Sequence, residues 1–177
     1  MRHALLSLPA FILLGACSTV PDAKEQQVGS AAITDATGRT LGSAVLTEDT
    51  AGLGLAVLVT GQTPGKRHGI HLHAIGACQG PAFASAGSHL NPGGRQHGSE
   101  NPAGSHLGDL PNVVIDAAGA GRLTINLPGN PETLRAVLFD NDGTAIVLHA
   151  DPDDLRTDPT GNSGARTACG ALLPVMR

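Results

Sequence analysis

The sequence predicts an all-β fold, a sandwich or barrel built from short strands. Three observations predict it. Short runs rich in Val, Ile, Leu and Ala recur with turn residues between them. The chain holds 24 Gly and 12 Pro in 177 residues, enough to supply those turns. No segment carries an apolar period of 3.6 over a full helix length. Trp and Tyr are absent and Phe occurs three times, so the core has to be aliphatic. The length suits one domain with a real core, and no internal repeat or low-complexity tract divides it.

Taken in order, residues 31–34 and 41–47 read as strands around a turn at Ala36-Thr37-Gly38. Residues 53–59 and 67–73 read as the next two. Residues 74–110 follow, full of Gly, Pro, Ser and Asn, with no helix or strand pattern. A structureless stretch that long argues against a compact domain unless it is functional or cross-linked. Residues 112–116, 122–126, part of 134–139, 145–149 and 171–175 read as further strands.

The N-terminus is expected to stand outside the fold. A basic start (Met1-Arg2-His3) and an apolar run over 4–16 have the layout of a secretory signal. The run is short for a membrane span. It ends Leu14-Gly15-Ala16-Cys17, which resembles a bacterial lipobox, with Cys17 lipidated and first in the mature chain; a plain signal peptide cut nearby is the alternative. Residues 1–16 are thus expected to be a signal, 17–27 a polar tether, and 28–177 the domain. The chain has three cysteines, Cys17, Cys78 and Cys169. An odd count in an exported protein needs explaining. Lipidation of Cys17 supplies that explanation and leaves Cys78 and Cys169 able to pair in an oxidising periplasm.

Charge excludes one class of function. The net charge is −4, and removing residues 1–16 takes away Arg2 alone, giving −5. A nucleic-acid partner is not expected.

Seven histidines lie beyond the signal: His68, His71, His73, His89, His97, His106 and His149. His71 and His73 are two apart, so on a strand both face one side and can reach one ion. His68 sits at an odd offset from both, so a buried, hydrogen-bonded, non-ligand role is expected for it. His149 closes the run Ala145-Ile146-Val147-Leu148, a fixed position for another ligand. In the long loop His89, His97 and His106 are spaced by eight and nine residues, and Asp109 follows by three. Imidazole nitrogen and carboxylate oxygen suit tetrahedral zinc. A metal would supply the order that the loop's sequence does not. Spacing alone supports one or two imidazole-rich metal sites and does not choose among copper, zinc and nickel.

The stretches HGIHLH (68–73), CQGPAFASAGSHLNP (78–92), QHG (96–98), HLGDLPN (106–112), HADPDD (149–154) and GNSGARTACG (161–170) resemble the copper/zinc superoxide dismutases in their bacterial exported form. The resemblance implies an eight-stranded Greek-key β-barrel, counted among immunoglobulin-like sandwiches, with a long metal-binding loop and a short electrostatic loop. It implies one copper and one zinc ion per subunit. Copper would take His71, His73, His89 and His149; zinc would take His89, His97, His106 and Asp109, with His89 bridging. Arg166 would hold the incoming superoxide. Asp153 would link a copper histidine to a zinc histidine, His68 would remain a non-ligand, and Cys78 and Cys169 would form a disulfide. The implied activity is dismutation of superoxide to dioxygen and hydrogen peroxide; a metal-storing or metal-delivering protein on the same scaffold is the alternative. Members of the family occur as monomers and as homodimers. The implied location is the periplasm, with a lipid anchor at Cys17. Two features depart from the family pattern: sixteen residues separate His149 from Arg166, a short electrostatic loop, and Leu90 follows His89 where an aromatic residue is common.

Overall fold

The computed structural model describes residues 25–175. The expected signal, Cys17 and all but the end of the expected tether lie outside them. The first strand, β1 (Gln26–Asp35), begins two residues ahead of the expected domain boundary. It is followed by β2 (Thr40–Asp49), β3 (Gly52–Val59), β4 (Arg67–His68), β5 (Ile70–His73), β6 (Val113–Val114), β7 (Gly121–Asn126), β8 (Thr144–His149) and β9 (Arg166–Pro174).

Seven of these form one antiparallel sheet in the order β5-β8-β9-β1-β2-β3-β7, and β4 pairs with β6. The small ribbon closes the large sheet. A bridge from Ile115 to Gly121 ties β6 to β7, and β4 runs into β5 through Gly69. Counting β4 and β5 as one interrupted strand gives the expected eight. The architecture is that of a Greek-key barrel, all of its edges used.

One expected strand is a helix instead. Part of residues 134–139 was read as a strand, but Pro131–Leu138 form a helix, α1. The Asn130 side chain accepts from Glu132 N and Thr133 N at 3.0 and 3.2 Å, and Pro131 starts the first turn. Leu134 and Leu138 point from one face into the core. Two turns are too few for a helical period to stand out against a strand.

Ile33, Leu46, Leu55, Ile70, Leu72, Ile146 and Leu148 are among the side chains that fill the barrel, all essentially buried. Every residue of β5 and β8 is buried. Alternation explains one face, since Ile70 and Leu72 pair with Leu148 and Ile146 towards the core. The outer face, with His71, His73, Ala145, Val147 and His149, is buried because the long loop folds over it. Phe83, Ala86, Cys169, Ala145 and Val147 form a second, smaller apolar cluster there. The loop is pinned to the strand by backbone bonds: Leu72 N to Gly108 O (2.9 Å), Leu90 N to Leu72 O (2.8 Å) and Gly108 N to Leu90 O (2.9 Å). Cys78 and Cys169 are disulfide-bonded, 91 residues apart in sequence. Leu90 is buried in the main core, so an aliphatic side chain suffices there.

Candidate metal centre

Two groups of side chains converge over the outer face of β5 and β8. His71, His73, His89 and His149 each offer a ligand atom within 4.8 Å of the others, and so do His89, His97, His106 and Asp109. His89 belongs to both. Regular strands position three of the first set: His71 and His73 lie two apart on β5, and His149 ends β8. A register irregularity after Leu148 sets His149 opposite Arg166. Such bulges re-aim side chains where a sheet carries a site. The second set comes wholly from the loop, which two isolated bridges, His71 to Asp109 and His73 to His89, hold in place.

The hydrogen bonds around these rings decide which nitrogens are free. His71 Nε2 donates to Asp153 Oδ2 at 2.8 Å, and His97 Nε2 donates to Asp153 Oδ1 at 3.0 Å. His73 Nδ1 donates to the Gly87 carbonyl at 2.9 Å. His149 Nδ1 lies 3.1 Å from Ser163 Oγ and 3.3 Å from the Gly164 carbonyl. Each outward bond fixes the tautomer and leaves a lone pair on the other nitrogen. The buried nitrogens without a hydrogen-bond partner are His71 Nδ1, His73 Nε2, His89 Nε2 and His149 Nε2, with His97 Nδ1 and His68 Nε2. Buried polar atoms are normally satisfied. Four inward lone pairs from one converging group match the imidazole set that copper takes.

On the loop side, Asp109 Oδ1 stands 2.9 Å from His89 Nδ1, 2.9 Å from His97 Nδ1 and 3.1 Å from His106 Nδ1. The His97 contact is close but misdirected for a hydrogen bond, as its nitrogen has no bonded partner. Three nitrogens and one oxygen at this spacing approach the edges of a tetrahedral zinc shell, roughly 3.3 Å for bonds of about 2.0–2.1 Å. Asp109 Oδ2 is itself held, accepting from Gly98 N at 2.8 Å and His106 N at 3.0 Å.

This arrangement matches a known family. The family model for copper/zinc superoxide dismutase matches residues 40–172. The chain belongs to that family. Among relatives of the superoxide dismutase family, the superoxide dismutase-like protein YojM of Bacillus subtilis is 40% identical over 127 residues, 71% of this chain and 65% of its own length. A Cu-Zn superoxide dismutase of Caulobacter vibrioides is 41% identical over 130 residues, covering 68% of this chain and 71% of its own. Among solved structures, a SOD-like protein from Bacillus subtilis superposes with a TM-score of 0.75 at 37% identity, covering 81% of this chain and 97% of its own. The Cu/Zn superoxide dismutase from Brucella abortus gives 0.64 at 28% identity, covering 84% and 99%.

The electrostatics of the centre differ between its two halves. Burial depresses His73 to about 2, His149 to about 3 and His89 to about 4. The Arg166 charge adds to the effect at His73 and His149. These rings are neutral at pH 7, as ligands must be. At His97 burial also opposes charge, but Asp109 and Asp153 on its two sides outweigh it and raise the ring to about 9. Burial pushes Asp109 and Asp153 upward, yet their histidine contacts hold both below the usual carboxylate range.

Arg166 is partly buried. It donates to the Phe83 carbonyl at 2.7 Å and the Gly87 carbonyl at 2.6 Å. Gly87 O therefore orients both His73 and Arg166. Phe83 and Gly87 belong to the loop segment that the disulfide fastens to β9.

The structure brings the sequence-predicted histidines and Asp109 together in two groups that share His89, and it adds supports that the sequence reading left unassigned. His68 is half-buried rather than buried; its Nδ1 donates to the His149 carbonyl at 2.9 Å, and it joins neither cluster. The parity premise for it fails in detail, because the chain breaks at Gly69 between two sheets. Asn112, unassigned from sequence, accepts from Asp153 N at 2.7 Å and donates to Asp153 O at 2.8 Å. Gly161, at φ +62, leaves space that a Cβ would fill 1.8 Å from Asp153 Oδ1.

Proposed function

We propose that this chain catalyses the dismutation of superoxide: two superoxide anions and two protons give dioxygen and hydrogen peroxide. The observation that carries the reading is the convergence of four unpartnered, buried imidazole nitrogens beside a second His3Asp set that shares His89. His71, His73, His89 and His149 would hold copper; His89, His97, His106 and Asp109 would hold zinc. Copper, when bound, supplies the one-electron couple, and zinc supplies a charge that does not change. Asp153 braces both halves by holding His71 and His97 in fixed tautomers. His89 directs Nδ1 at Asp109, so Nε2 is the nitrogen that can hold a proton on the copper side and deliver it to the reduced oxygen species. Arg166 spends two donors on carbonyls and keeps others for an anion. The net charge of −4 gives no general attraction for superoxide, so attraction has to be local. Such focusing is already known of superoxide dismutases as a class.

The test is superoxide decay on protein loaded with both metals. Acceleration approaching the diffusional regime is expected. Tight metal binding without acceleration would reject the enzyme in favour of a metal-holding protein. Arg166→Gln should slow turnover by roughly tenfold, the low end of charge focusing, and flatten its salt dependence. An unchanged rate would remove Arg166 from the mechanism.

We also propose export and anchoring through Cys17. The support is the Cys78–Cys169 disulfide, which suits an oxidising compartment and accounts for two of the three cysteines. Mass spectrometry of the mature N-terminus decides it, and an unmodified Cys17 rejects the anchor.

A further inference from the structure

We infer that Asp158 is the outer carboxylate of the loop-side cluster, a positioning residue that orients His106 and fixes the His97 backbone. The inference rests on the reading of His89, His97, His106 and Asp109 as a zinc set.

The argument begins with the outward nitrogens. His71 and His97 give theirs to Asp153. His73 gives its own to Gly87 O, and His149 to Gly164 O. His89 uses both nitrogens inside the centre. His106 is the exception: its Nδ1 meets Asp109, and its Nε2 has no hydrogen bond among the described residues. A ligating histidine almost always donates that second N–H to a carboxylate, carbonyl or water. The carboxylate that faces it is Asp158, with Oδ1 at 3.9 Å from His106 Nε2.

Asp158 already belongs to the cluster by its backbone contact. The same Oδ1 accepts from His97 N at 2.6 Å. It therefore joins two of the four loop-side ligands from outside. Its side chain is 48% exposed, and no hydrogen bond among the described residues uses its Oδ2. A shift of about 1 Å brings the carboxylate to the usual distance of about 2.9 Å from the ring. Asp158 and His106 line one cleft of about 320 Å3, together with His89 and Arg95. Arg95 is the other charged group there, and it donates to the Gly104 carbonyl. The carboxylate is thus left facing the imidazole. A negative charge behind His106 raises the basicity of Nδ1, which strengthens its bond to a cation on the other side.

The position is also informative about the loops. Asp158 sits on the electrostatic loop, and both of its contacts are on the long metal-binding loop. The pairing makes one half of the centre depend on a residue that contributes no ligand atom.

Zinc affinity of the full-length chain, measured by competition with a chromophoric chelator, tests the assignment. Asp158→Asn keeps an oxygen for His97 N and removes the charge facing His106. It should weaken zinc by about tenfold, the low end for outer partners because Asp158 is half exposed. With cobalt in place of zinc, the visible ligand-field bands should shift in Asp158→Asn, which simple tethering of two loops would not cause. Asp158→Glu should recover part of the affinity. Glu100→Gln is the control: it cuts the Arg156–Glu100 pair between the same two loops and touches no ligand ring. Wild-type affinity and bands in Asp158→Asn would overturn the inference, as would equal losses in Glu100→Gln and Asp158→Asn. Should Asp158→Asn fail to fold, an Asp158→Glu protein with shifted bands and partly weakened zinc supports the role, and one with wild-type bands overturns it. Absence of zinc binding by the wild-type chain would instead reject the zinc set itself.

Discussion

The two halves of the metal centre are built by different means. His71, His73 and His149 stand on β5 and β8, paired strands whose inner faces fill the barrel. His89, His97, His106 and Asp109 stand on a loop whose only regular structure between residues 74 and 112 is a single 3-10 turn, Ala84–Ala86. The strand side gets its geometry from the core. The loop side gets it from polar contacts with Asp109, backbone bonds to Leu72, and the disulfide. Hydrophobic packing can therefore preorganise one half, while the other depends on cross-links and on ions. The chemistry follows the same division. Burial dominates at His73 and His149 on the strand side and keeps them neutral; carboxylates dominate at His97 and favour positive charge there.

Removing the cross-link should break this comparison most sharply. Closing a loop of 91 residues is worth about 4–5 kcal/mol in the chain-entropy model. Cys78→Ser should lower stability towards that amount, read as a shift in denaturant midpoint. Hydrogen exchange should quicken around Phe83 and Gly87 first, with β5 and β8 amides still protected. Equal loss of protection in both halves would show that the loop is not the separable part.

Change of pH should act in opposite senses on different rings of the centre. His73, His89 and His149 are depressed, to about 2, 4 and 3 respectively. The unfolded chain binds more protons than the folded one once pH falls below about 6.5. Metal-free protein should therefore lose stability from about pH 6.5 down towards pH 4. The slope is up to about 1.4 kcal/mol per pH unit for each of the three rings. His97 is raised to about 9. Its contribution is full below about pH 6.5 and disappears as pH rises through about 9. Urea midpoints of chelated protein across pH 4–10 check both limbs. A flat profile below pH 6.5 would contradict neutral, buried rings.

The joint between the halves is Gly108. A Cβ there would lie 2.2 Å from the Leu72 carbonyl oxygen, a backbone atom of β5 with no room to yield. Gly108→Ala should cost about 3 kcal/mol, the upper part of the range for overpacking. It should also weaken zinc before copper, because Gly108 lies between His106 and Asp109. Isothermal titration with each metal separates the two effects. Equal weakening would mean that the loop and strand sites move as one.

The same division governs what the sequence revealed. Strands β1, β2, β3, β7 and β8 were legible because apolar runs and turn residues are local properties. His71 and His73 were legible as a pair because strand parity is local as well. The convergence of His89 and His149 on that pair is set by tertiary structure; the end of an apolar strand suggested His149 as a further ligand, and only the family resemblance brought His89 to the same group. Helix α1 was missed because two turns give a weak period. Asn112, Ser163 and Gly161 were missed because their work is to hold other residues, and nothing in their own neighbourhoods marks that. Cys17 and the N-terminal signal lie outside the described residues and remain readings of the sequence.

The smallest effect expected concerns the outer strap between the two loops. Arg156 Nη2 and Nε meet Glu100 Oε2 at 2.6 and 2.8 Å, and Glu100 N donates to Leu155 O at 2.9 Å. The side chains are 68% and 48% exposed. Pairs in that setting contribute about 0.2–1 kcal/mol, and salt screens them. Glu100→Gln keeps the backbone bond and should lower stability by less than about 1 kcal/mol at low salt, with the difference vanishing by about 1 M salt. Thermal unfolding at the two salt concentrations measures it. A larger, salt-insensitive loss would mean that the strap belongs with the buried contacts around Asp153, and that the electrostatic loop is held by its rim as well as by its attachment to His97 and Asn112.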